Sequence, residues 1–174
     1  MTNLADSVFG TVTGKDATIL VIAHCIVKDN KVIKEWLVRD NYSLVAQLGY
    51  DPLHVAHTWA QIDRSESFIE WRNSEIKRIT QSVNGQRASY NDDPEIFVRS
   101  ALQNIWNARM IGDVNLFYSN DAKYHGVAGR NFAGPNEIAG FYMKLLGTIS
   151  ELRFSVDYVC SSNLDGGASL VAVR

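Results

Sequence analysis

One carboxylate, Asp40, closes a stretch of chain that otherwise reads as apolar strand. Residues 19–27 (ILVIAHCIV) and 32–40 (VIKEWLVRD) flank Lys28-Asp29-Asn30-Lys31. Asp-Asn tolerates the positive φ angles that a two-residue hairpin turn needs. With Asp29 and Asn30 as the turn, register arithmetic pairs Val27 with Val32, Cys25 with Lys34, Ala23 with Trp36, Val21 with Val38 and Ile19 with Asp40. Directly opposed residues share a face. One face then carries Ile19, Val21, Ala23, Cys25, Val27, Val32, Trp36, Val38 and Asp40, with Lys34 near the turn. The other carries Leu20, Ile22, Ile26, Ile33, Leu37 and Arg39, with His24 opposite Glu35. Both faces are apolar enough to be covered. Desolvation raises a carboxyl group's pKa towards working pH, so an acid at the end of such a face suits proton transfer. Asp40 also immediately precedes a helix, so N-capping competes for the same side chain.

The remaining reactive residue types carry weaker signals. His24 and Glu35 read as a cross-strand pair at a dimer or helix contact rather than a catalytic couple. His54 and His57 lie three apart on a helix, the spacing of two metal ligands. No third ligand is near, so they read as an exposed face and no metal is expected. Gly126-Val-Ala-Gly129 is too small a glycine signal for a phosphate loop. Cys25 and Cys160 sit inside apolar strand patterns, which predicts buried reduced thiols and a cytoplasmic setting.

The elements that must position these groups follow from periodicity and punctuation. Residues 1–40 are strand-like, with residues 13–16 as a loop. Asn41 opens a short helix that closes at Gly49, and Asp51-Pro52 starts another. Residues 68–80 form an amphipathic helix, residues 81–92 a polar linker, and Asp93-Pro94 opens a helix whose Val98, Leu102, Ile105 and Arg109 share one side. Gly112-Asp113 bends or ends it. A short strand over 122–127, a helix over 135–146, a half-buried strand over 152–160, a turn over 163–167 and a last strand from Ala168 complete the reading. Strands at both ends with helices between give an α+β class.

Composition sets ordinary bounds. The 174 residues are 46% apolar, enough for one domain with a core. A net charge of −2 argues against nucleic acid or anionic membrane as a partner. The longest apolar run, residues 17–27, is broken by Thr18 and His24 and is too short to span a bilayer.

Gly14-Lys-Asp-Ala-Thr, then His24, then Lys28-Asp-Asn-Lys-Val-Ile-Lys-Glu-Trp-Leu-Val-Arg-Asp40 and Gln47-Leu-Gly49 resemble the C-terminal half of a SnoaL-like polyketide cyclase domain. Asn30 stands where that pattern has glycine, and Lys34 breaks its common acidic pair. Ile105-Trp-Asn-Ala-Arg109, Phe117-Tyr-Ser-Asn-Asp121, His125-Gly-Val-Ala-Gly129, Gly134-Pro-Asn-Glu-Ile138 and Val171-Ala-Val-Arg174 resemble the N-terminal half. The order is permuted. Residues 1–49 match the back half, 50–93 form a helical connector and linker, and 94–174 match the front half. The middle of a tandem protein and a circular permutant both fit, and either predicts a composite domain or a segment-exchanged dimer.

The resemblance implies a cone: a curved antiparallel sheet wrapped round helices, enclosing an apolar pocket. It implies cofactor-free general acid–base chemistry, an aldol-type cyclisation or related isomerisation of a hydrophobic polyketide-like molecule. Asp40 stands at the matching acid–base position, and His125 at a position that often faces the cavity. Trp36, Cys25, Tyr118, Phe141 and Trp106 are the expected substrate contacts, with core packing as the competing reading for the aromatic residues. The rival functions are a non-catalytic small-molecule-binding or dimerisation module of the same fold, and a ketosteroid-isomerase-like or hydratase-like enzyme.

Overall fold

The computed structural model describes residues 1–62 and 65–174. It is α+β and divides into two compact units, residues 1–68 with 125–130, and residues 69–124 with 131–174.

The first unit is built on the hairpin β1 (Val21–Lys28) and β2 (Lys31–Arg39). Asp29 and Asn30 both take positive φ, 50° and 58°, so the turn is the tight one their side chains permit. Val27 faces Val32 as the register arithmetic requires, but the ladder then shifts and Ile26 faces Lys34. Ile33 is the extra residue of a bulge. The shift overturns every pairing beyond it: Cys25 faces Glu35, His24 faces Trp36, Ala23 faces Leu37 and Val21 faces Arg39. Cys25 therefore shares a face with Glu35, and His24 replaces it on the face of Trp36. The shift gains aromatic contact, since the His24 and Trp36 rings lie 5.6 Å apart and the Lys34 ammonium sits 4.6 Å from the Trp36 centroid.

Neither face of the hairpin is buried. Ile22 is 64% exposed and Val38 67%, and Cys25 is exposed rather than buried. The core of this unit is drawn from residues on either side of the hairpin in sequence: Ala17, Leu44 and Leu48, with Phe9, Ile19 and Tyr50 packed on them. Residues 1–20 supply isolated bridges (Thr2 with Asp16, Ser7 with Gly10) instead of the expected strand. Helix α1 (Asn41–Gln47) ends at Gly49, whose φ of +85° is the left-handed conformation that glycine adopts without strain. Helix α2 (Pro52–Ile62) follows, its Leu53 N–H capped by Asp51, and α3 (Glu66–Ser82) begins here.

In the second unit α4 (Pro94–Leu102) starts at Asp93, whose carboxylate accepts from the Glu95 and Ile96 N–H groups, both at 3.0 Å. It widens into a π-helical turn, Gln103–Asn107, and breaks at Arg109 (φ 61°), three residues before Gly112. A 3-10 turn (Ile111–Asp113) and α5 (Val114–Phe117) follow, then the pair β3 (Lys123–His125) and β4 (Asn131–Ala133) and helix α6 (Gly134–Thr148). The hairpin β5 (Val159–Asn163) and β6 (Ser169–Val173) closes the order. Ile105, Trp106, Val114, Ile138 and Tyr142 form the core.

Two carboxamides on the π-helical turn hold irregular chain in place. Asn104, fully buried, accepts from Ala88 N at 2.7 Å and donates to Ala88 O at 3.0 Å. Asn107 accepts from Phe154 N and donates to Phe154 O, both at 2.9 Å. Arg109 donates to Ser150 O and Leu152 O. Residues 152–156 are thus tied by side chains, Asp157 and Tyr158 bond through their backbone to Arg174, and the expected strand over 152–160 shortens to one that begins at Val159. Among the described residues the sheets remain three separate two-stranded pairs, none closed on itself. Among the described residues, no helix is long and apolar enough to cross a membrane.

Candidate functional site

Asp40 sits between β2 and α1, half-buried, and caps α1: its Oδ1 accepts from Ser43 N at 3.0 Å. Its Oδ2 accepts from Ala128 N at 2.7 Å. Both carboxylate oxygens are therefore engaged by backbone donors. Ala128 belongs to a tight loop closed by Gly126 N to Arg130 O at 2.7 Å. It holds φ 61°, a conformation that costs a residue with a Cβ roughly 1–2 kcal/mol. The carboxylate thus fastens the start of a helix to a strained turn 88 residues later in the chain. His125 immediately precedes this loop and is exposed.

The other expected contacts fall in two places. Trp36 lies on β2 of the first unit on the same face as His24. Cys25 lies on the opposite face, its Sγ 3.8 Å from Glu35 Oε1. Trp106, Tyr118 and Phe141 belong to the second unit, where they pack in or against its core. Trp106 is 4% exposed, its ring 4.2 Å from that of Tyr142 and 4.8 Å from that of Phe154. The Tyr118 and Tyr142 hydroxyls share a 2.9 Å hydrogen bond. Burial pushes the Tyr142 phenol far above its ordinary range, and Tyr124 upward as well. These phenols are neutral donors and acceptors of a packed interior.

The apolar hollow nearest Asp40 in sequence is built by α1 and α2. Tyr42, Val45, Pro52, Val55, Ala56 and Trp59, with Asn41 at the rim, enclose about 230 Å³. Trp59 forms its wall and is held there: its indole Nε1 donates to Val8 O at 3.0 Å, and its ring stacks on Phe9 at 5.3 Å. The same indole borders a second hollow of about 260 Å³ beside residues 7–10. The Asp40 carboxylate lines neither.

Sequence reasoning passed over Trp59, because an aromatic on an amphipathic helix reads as ordinary core. It also passed over Asn104 and Asn107, although two carboxamides three apart on the apolar side of a helix demand partners. His54 and His57 both lie on the exposed surface of α2, and no cluster of three metal-ligating side chains occurs among the described residues. No protein-family model, curated protein or solved structure matches this chain.

Proposed function

We propose that the chain is a binding module of the SnoaL-like class that takes a small hydrophobic molecule without transforming it, and that works as a homodimer. The observation that carries this reading is the division of labour in the first unit. The hollow between α1 and α2 is apolar, while Asp40, the acid that precedes α1, has both oxygens on backbone N–H groups. Volume limits the ligand. An apolar cavity of about 150 Å³ admits benzene, and ligand pockets for drug-sized molecules run about 300–1,000 Å³. A hollow of about 230 Å³ therefore suits a single ring or a short acyl chain rather than a fused polycycle. The closed cone of the class is not required, since two helices build the hollow.

Toluene is the probe. Titrated into the whole chain, it should shift the Trp59 indole N–H resonance saturably. Ala56→Phe, which fills the hollow from its exposed rim, should abolish the shift while leaving the fold intact by circular dichroism. No saturable shift, or one untouched by Ala56→Phe, overturns the binding reading.

The enzymatic alternative, acid–base cyclisation or isomerisation by Asp40 and His125, has one specific support. The loop that begins after His125 donates directly to Asp40. Under that reading Asp40→Asn abolishes turnover. Under the binding reading it leaves toluene affinity within about twofold, because a difference of 0.4 kcal/mol is a factor of two.

A further inference from the structure

The edge of β1 is a self-complementary strand, and we infer that two copies of this chain join there, β1 antiparallel to β1, with the two-fold axis at His24. This deepens the homodimer part of the reading above by naming its surface.

The argument starts from the pattern of backbone bonds. Asp40 N donates to Leu20 O at 3.4 Å, so Leu20 and Asp40 form a bonded pair across the hairpin. Bonded pairs alternate along an antiparallel ladder. The bulge residue lies on β2, so β1 alternates without interruption. The N–H and C=O groups of Ile22, His24 and Ile26 thus turn towards β2, and those of Val21, Ala23, Cys25 and Val27 turn outward. Among the described residues the sheet contains β1 and β2 alone, which leaves that outer edge unpaired by any of them.

Four outward residues centred on His24 are matched by their own two-fold copy. Val21 meets Val27 of the copy and Ala23 meets Cys25, so every outward donor finds an outward acceptor. A register centred on Cys25 would instead set Val21 against the turn at Asp29 and lose that pairing. Charge agrees. From Val21 to Val27 the strand carries no Lys, Arg, Asp or Glu, whereas β2 carries Lys31, Lys34, Glu35 and Arg39. Charged residues, lysine above all, are how proteins blunt an edge that must not pair. The β2 edge is guarded and the β1 edge is open. In the two-fold pairing Lys28 lies opposite Leu20 of the copy, so no like charges meet. The product is a four-stranded sheet, and a lone two-stranded hairpin exposed on both faces is marginal in water.

Sedimentation equilibrium of the whole chain should give twice the 19.4 kDa chain mass. A monomer overturns both the homodimer reading and this inference. Ala23→Pro deletes an outward donor while sparing the β1–β2 ladder, as proline at an edge does. It should weaken the dimer on the order of tenfold or more, because two symmetry-related bonds are lost. Leu37→Lys changes the residue facing Ala23 on the same sheet face and should leave the dimer intact. A dimer broken by Leu37→Lys and untouched by Ala23→Pro would keep the homodimer and overturn the edge.

Disulfide trapping fixes the register. In this pairing His24 faces itself across a non-bonded pair with Cα atoms about 4.5 Å apart, within disulfide reach. The two Cys25 residues are staggered beyond about 7 Å and cannot bridge. With both native cysteines replaced by serine, His24→Cys should form a covalent dimer on oxidation, and a chain retaining Cys25 alone should not. The reverse result overturns the register.

Discussion

Replacing Asp40 by serine separates the two tasks its carboxylate performs. Serine and aspartate are nearly equal as N-caps, so Asp40→Ser keeps the bond to Ser43 N and with it about 1 kcal/mol. It has no second oxygen for Ala128. That bond is short, 2.7 Å, and charge-assisted. Hydrogen bonds to charged groups contribute about 1.5–3 kcal/mol, and the half-buried setting of Asp40 places this one near 1.5. The strain in Ala128 is of the same order, so the loop should leave its positive-φ conformation once the anchor is gone. Asp40→Ala removes cap and anchor together and should cost about 2.5 kcal/mol.

Urea unfolding gives the free energies and amide hydrogen exchange locates them. In Asp40→Ser the Ser43 amide should stay protected while the Ala128 amide exchanges freely. In Asp40→Ala both should lose protection. Ala128→Gly in the wild-type background should stabilise by up to about 1 kcal/mol, since glycine takes positive φ without a Cβ penalty. The reasoning fails if Asp40→Ser is within about 0.5 kcal/mol of wild type with Ala128 still protected. It fails equally if Asp40→Ala is no less stable than Asp40→Ser.

Two further outcomes follow from the second unit. Asn104→Leu leaves the Ala88 N–H and C=O without partners and should cost about 2–4 kcal/mol in urea unfolding, with loss of exchange protection at Ala88; a loss below about 1 kcal/mol would show that water replaces the carboxamide. Burial holds the Tyr124 and Tyr142 phenols above their ordinary range, so their contribution to stability is whole below about pH 10 and falls as pH rises, Tyr142, the more strongly raised, contributing up to about 1.4 kcal/mol per pH unit. Tyr142→Phe should reduce that alkaline slope, and an unchanged slope would refute the assignment.

What could be read from the chain divides along physical lines. The Asp29-Asn30 turn, the caps at Asp40 and Asp93 and the helix stop at Gly49 are local: each depends on a few residues and their φ preferences, and all stand in the structure. The hairpin register is not local. Strict alternation carried the pairing past Ile33, where the bulge gives Trp36 a better neighbour in His24 than in Ala23. Burial of the hairpin faces was expected from composition alone, and composition does not say what will cover a face. Asp40 combined both kinds of signal. Its cap was visible in the Asp-Asn junction, whereas its bond to Ala128 joins segments 88 residues apart and leaves no mark on the spacing.

Three long-range clamps of this chain share a common form. Asn104, Asn107 and Asp40 each place one planar side-chain group where a neighbouring strand's peptide would otherwise sit. A carboxamide offers one donor and one acceptor side, so it satisfies both groups of a single residue but cannot extend into a ladder. Segments fixed this way are positioned without being paired, which is why residues 86–90 and 152–156 join no sheet. A ladder spreads its energy over many bonds and tolerates the loss of one. A clamp concentrates it in one residue. The same economy leaves the sheets two strands wide, with backbone edges still available, and the uncharged edge of β1 is the one we propose for assembly.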